Sequence, residues 1–143
     1  MLTHGEARYV LTEIVRIPFY AEQIEKARRV YRAYEEKKRQ VSDPNCPQGH
    51  EVIGQRGNEV TDPSRIIAHI VTAQEIYREK ILLYKTLQEN AQWYLDVLMG
   101  GENAQFVKDY FEAQDKKSIQ KKYNISNAYD RMIRVVKGEI KHI

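Results

Sequence analysis

From Ile66 to Leu98, apolar residues recur at strictly alternating spacings of four and three. They are Ile66, Ile70, Ala73, Tyr77, Tyr84, Leu87, Ala91, Tyr94 and Leu98, with Lys80 the one polar member of the series. Such a seam predicts one long helix in a coiled-coil-like pairing. Asp62 supplies an N-cap oxygen and Pro63 falls at the first helical position, where its missing N–H costs nothing. Gly100 and Gly101 follow Met99 and predict the helix end. A second stripe, Tyr20, Ile24, Ala27, Tyr31 and Tyr34, has the same spacing within a helical stretch from Glu6 to Gln40. Pro18 interrupts that stretch and predicts a kink or a fresh start near Ile17. The partner of the long helix is the first helix, a second copy of the chain, or both.

Between the two stripes, residues 42–61 carry two prolines and three glycines and predict a long loop, functional or mobile. Three shorter helices are predicted after Gly101. Asn103 to Gln114 presents Phe106, Val107, Tyr110 and Phe111 on one side, and Lys116 to Asn124 is anchored by Ile119 and Tyr123. Ser126 is expected to cap a last helix, reaching about Lys141, that buries Tyr129, Ile133, Val136 and Ile140. The expected fold is therefore all-α. A long antiparallel helical hairpin and oligomerisation region occupies 1–101, and a compact three-helix unit occupies 102–143.

The apolar fraction of 42% and the charged fraction of 30% exclude a disordered composition. Cys46 is the single cysteine, so no intramolecular disulfide forms and a reducing compartment is implied. No stretch has a signal-peptide layout or about 18 consecutive apolar residues, which predicts a cytoplasmic protein without a membrane partner. Cys46 and His50 fall short of the four ligands of a structural zinc site, so neither a metal nor another cofactor is expected. No Walker loop, nucleophile elbow or paired acid motif is present, and nothing asks for an enzyme.

The net charge of +3 is unremarkable, but its distribution is not. From Asp115 onward eight cationic residues face three acidic ones; another basic cluster comprises Lys26, Arg28, Arg29, Arg32, Lys37, Lys38 and Arg39. In the C-terminal segment a short helix, a tight turn at Asn124-Ile125-Ser126 and a longer helix have the layout of a helix-turn-helix. With the apolar face turned inward, Asn127, Arg131, Arg134, Gly138 and Lys141 face outward at 100° per residue. Arginine reaches guanine edges and asparagine adenine edges. Arg131 and Arg134 are expected to read bases or grip phosphate, and Asn127 to contact a base. Lys116, Lys117, Lys121, Lys122 and Lys141 are expected to complete the DNA-binding set.

Three landmarks resemble the phage late-gene transcriptional regulators of the RinA and ArpU type, whose C-terminal part is similar to region 4 of sigma factors. They are the Gly-rich Val52-Ile53-Gly54-Gln55-Arg56-Gly57, the Val60-Thr61-Asp62-Pro63-Ser64 opening of the long helix, and Ile119 with Ile125-Ser126 and the helix after them. Gln120 stands where that pattern has a small residue, and Asn124 where it has glycine. The resemblance implies a phage-type transcriptional regulator that binds duplex DNA at promoters of structural or packaging genes. RNA polymerase and a second copy of the chain are further candidate partners. Two other functions fit the pattern: a helical structural or partner-binding protein, and a phage small terminase subunit for DNA packaging.

Overall fold

The computed structural model describes residues 1–42 and 62–143. The long loop expected at 42–61, with Cys46, His50 and the Gly-rich landmark, lies outside the described residues beyond Ser42. The described chain is all-α, with no strand: α1 (His4–Val15), α2 (Ile17–Ser42), α3 (Pro63–Met99), α4 (Ala104–Glu112), α5 (Lys116–Tyr123) and α6 (Ala128–Glu139).

Local chemistry explains the ends. Thr3 and Glu6 form a reciprocal capping box at α1, with the Glu6 N–H donating to Thr3 Oγ1 at 3.1 Å and the Thr3 N–H to Glu6 Oε1 at 3.0 Å. Helix α1 stops at Arg16 and α2 starts one residue later, so Pro18 falls among the first-turn donors that have no helical acceptor. Asp62 caps α3 as its sequence predicts, Oδ1 accepting from the Ser64 N–H at 3.0 Å. Gly101 follows the end of α3, and the Glu139 carboxylate lies close over it, 2.3 Å from where a Cβ would stand. Among the described residues no helix is long and apolar enough to cross a membrane.

The chain packs as two units, Met1–Tyr20 with Thr86–Ile143, and Ala21–Lys85. In the first, a continuous core joins Val10, Leu11 and Ile14 of α1 to Leu98, Phe106, Val107, Ile119, Met132, Val136 and Ile140. The C-terminal helices thus share their core with α1, a grouping that differs from a boundary at residue 101. One buried carboxylate, Glu13, accepts a hydrogen bond from the Tyr20 hydroxyl. Burial, then that carboxylate, pushes the Tyr20 phenol above its usual range.

Because α1 packs against α6, the buried face of α6 is wider than its four–three spacing predicts and turns toward Ala128, Met132 and Val135. Tyr129, expected inside, is 39% exposed and lies at the rim of a shallow groove with Leu11, Val15 and Tyr110. The N-cap is likewise displaced. Asn127 rather than Ser126 caps α6, its side chain accepting from the Asp130 N–H at 3.1 Å.

In the second unit, Ile24 and Ala27 of α2 and Ile70 of α3 are buried, as the stripes predict. Buried Gln74, beside the predicted stripe and not part of it, donates to Glu35 Oε2 at 2.7 Å. Arg78 donates to the Tyr31 hydroxyl at 3.0 Å, and the Tyr34 and Tyr77 rings lie 6.2 Å apart.

The rotated face of α6 is testable by paired truncations. Met132 is 0% exposed, so Met132→Ala should cost about 2–5 kcal/mol in denaturant unfolding. Tyr129→Ala, at the rim, should cost about 1 kcal/mol or less. Equal losses for the two would contradict this placement.

Candidate nucleic-acid interface

The segment from α5 to α6 is built around one left-handed residue. Asn124 has φ 52° and ψ 52°, the only positive φ outside glycine among the described residues. Asparagine tolerates this region better than most residues, since its short side chain bonds locally. The Ile125 N–H donates to the Gln120 carbonyl at 2.9 Å, and the Asn124 N–H to the Lys121 carbonyl at 3.4 Å. Together these form a Schellman motif that satisfies the last carbonyls of α5. Ile125 then packs against the core. Gln120, large where the resembling pattern is small, has a role of its own: Oε1 accepts from the Ala128 N–H at 3.1 Å, capping the first turn of α6 from the preceding helix.

This turn fixes which face of α6 is covered. Asn127, Arg131, Arg134, Gly138 and Lys141 are all exposed, as expected from the sequence. Asn127, Asp130, Arg131 and Arg134 line a polar cleft of about 280 Å³ together with the turn residues Asn124–Asn127. Among the described residues Arg131 and Arg134 form no ion pair. Lys117 and Lys121 are exposed one turn apart on α5 and are likewise unpaired. The Lys141 amine donates to the Gly138 carbonyl at 3.2 Å.

The remaining two expected lysines are held by the protein. Lys116 donates to the Tyr110 carbonyl at 2.9 Å, completing the C-terminal end of α4, with its amine 3.5 Å from the centre of the Tyr110 ring. Burial holds that amine below its ordinary range. Lys122 donates to Asp109 at 2.8 Å, and the Tyr123 hydroxyl donates to the same carboxylate oxygen. Gln105 donates to the other oxygen at 3.0 Å. Asp109 therefore ties α5 to α4, a hub that no spacing rule in the sequence reveals.

The other basic cluster behaves differently from the α6 arginines. Five of its seven cations are ion-paired along α2: Lys26 with Glu22, Arg29 and Arg32 with Glu25, Lys38 with Glu35 and Arg39 with Glu36. Such pairs are the ordinary pattern of a solvated helix face. Among the described residues no cluster of His, Cys, Asp and Glu is placed to hold a metal ion. No protein-family model, no curated protein and no solved structure matches this chain.

The hub at Asp109 generates a pH dependence. Hydrogen bonding from Lys122, then from Tyr123, lowers its pKa from 3.8 to about 2. A carboxylate depressed in the folded state stabilises the fold fully above its unfolded pKa and ceases to do so as pH falls through the folded value. Asp109 should therefore stabilise the protein above about pH 4 and lose that contribution toward pH 2. Thermal melts across this window should show a smaller acid loss for Asp109→Asn than for the parent, and identical losses would exclude Asp109 as the responsible group.

Proposed function

We propose that this chain is a phage-type transcriptional regulator that binds duplex DNA, with α5, the Asn124 turn and α6 acting as a helix-turn-helix. Helix α6 would enter the major groove with its N-terminal half forward. The observation that carries this reading is the contrast between basic faces. Most cations on α2 have carboxylate partners, whereas Arg131 and Arg134 stand in an exposed cleft with none. Arg131 and Arg134 are the proposed base- or phosphate-contacting residues, and Lys117 and Lys121 the proposed backbone contacts. Asn127 keeps its amide donors for DNA while its oxygen caps the helix. Lys141 extends the same face, and Lys116 and Lys122 chiefly brace the fold.

A second copy of the chain is part of the proposal. Ile76, Leu82 and Leu83 on α3 are each more than half exposed, an apolar surface that self-association would cover. Sedimentation over a hundredfold concentration range should show a dimer or larger species; a monomer throughout would remove the second copy while leaving single-site DNA binding intact.

Arg131→Glu/Arg134→Glu tests the DNA interface itself. Both residues are exposed, so stability should change by no more than about 0.5 kcal/mol per site. Each lost contact is worth about 1–3 kcal/mol, so affinity for phage genomic fragments should fall by at least roughly 30-fold. Parent affinity should also fall with salt, by about 0.9 log units per decade for each neutralised phosphate. A double variant that melts normally and binds DNA like the parent would reject α6 as the recognition helix. Absence of parent binding even near 50 mM salt, on the scale where such contacts dominate, would favour a partner-binding helical protein.

A further inference from the structure

Asp130 is out of place on a surface that meets only phosphate. It sits in the first turn of α6, exposed, in the same cleft as Arg131 and Arg134. Its backbone N–H is held by Asn127, but its carboxylate has no partner among the described residues. Asp130 and Arg134 stand four residues apart with the acid N-terminal, the favourable order for a helical ion pair. On α2 that spacing and order produce bonded pairs, Glu22 with Lys26 and Glu25 with Arg29. On α6 it produces none. The cleft therefore presents two cationic forks and one carboxylate, each open to solvent.

A duplex backbone offers only anionic acceptors, so a carboxylate at that surface is repelled. The floor of the major groove offers both kinds of group on a G·C pair. Guanine presents O6 and N7 as acceptors and cytosine its N4 amino group as a donor. An arginine pairs with the first and an aspartate accepts from the second. We infer that the α6 cleft reads G·C base pairs in the major groove and that Asp130 is its specificity-determining residue, accepting a hydrogen bond from a cytosine amino group. This rests on the DNA-binding reading above and adds to it the base composition of the target.

The inference makes two effects of one substitution run in opposite directions. Removing the carboxylate deletes a repulsion toward every phosphate, so affinity for mixed-sequence duplex should stay level or rise. Removing the acceptor deletes the preference at one base pair, so discrimination there should fall by roughly tenfold. The experiment is selection from a random duplex library by the full chain, by Asp130→Ala and by Asp130→Asn, with helicity followed by circular dichroism. The parent should enrich a G·C-containing motif. Asp130→Ala should relax one cytosine position while holding the others. Asp130→Asn keeps the size of the side chain, leaves the Asn127 cap in place and should shift that position toward adenine, the base asparagine pairs with. Unchanged motifs from two folded variants, or equal weakening on all sequences, would overturn the assignment to Asp130 while leaving DNA binding in place. A parent that enriches no sequence at all would overturn sequence reading by α6 together with it.

Discussion

The left-handed backbone at Asn124 is the constraint on which the C-terminal architecture depends. It turns the chain out of α5 within one residue, and the Schellman bonds to Gln120 and Lys121 hold that turn without help from outside. The chain then bends at Ser126 and reaches an extended Asn127, which caps α6, while Gln120 reaches across from α5 to the first N–H of the same helix. Two donors of the first turn are therefore satisfied by side chains whose positions the turn itself sets. With the start of α6 fixed, its 100° step decides everything downstream. Met132, Val136 and Ile140 go into the core and Arg131 and Arg134 go to solvent.

Covering the inner face of α6 requires more apolar surface than α4 and α5 provide. Helix α5 buries Ile119 alone, and α4 contributes Phe106, Val107 and Tyr110. The balance comes from α1, whose Ala7, Val10, Leu11 and Ile14 join the same cluster, and from Tyr94 and Leu98 at the end of α3. The proposed recognition helix is thus held by residues from both ends of the chain. Its exposed face can carry charge because its stability is supplied from behind, by Met132, Val136 and Ile140, none of which touches solvent.

Features governed by neighbours in sequence were legible from the chain alone. The Asp62–Pro63 start of α3, the glycine stop, the tolerance of Asn124 for a left-handed turn and the outward set on α6 all follow from rules that act within a turn or two. Features that depend on which helices meet were not. A stripe of apolar residues announces a buried face but does not name its partner, so the reading assigned α1 to the long helical region. It therefore placed Tyr129 inside, whereas α1 lies along the neighbouring flank and brings Ala128, Met132 and Val135 inward instead. Gln74, a polar residue beside the stripe, was invisible for the same reason: its acceptor Glu35 is 39 positions away.

The cations show why counting charge was a weaker guide than locating it. The sequence offers eight basic residues after Asp115, and nothing in composition separates one from another. Geometry separates them by the acceptors each can reach. Lys116 completes the end of α4 because Tyr110 places a carbonyl and a ring beneath it, and Lys122 closes on Asp109 because α4 and α5 are adjacent. Both attachments position α5 and through it the turn. Arg131 and Arg134 project from the next helix toward no such acceptor. A guanidinium surrounded by water loses little by meeting a phosphate or a guanine edge, whereas an amine already bonded must first give up its acceptor. The same residue type thus does two jobs in one segment, bracing the turn at Lys116 and Lys122 and remaining available to a ligand at Arg131 and Arg134. That division is fixed by the turn at Asn124, not by the number of charges.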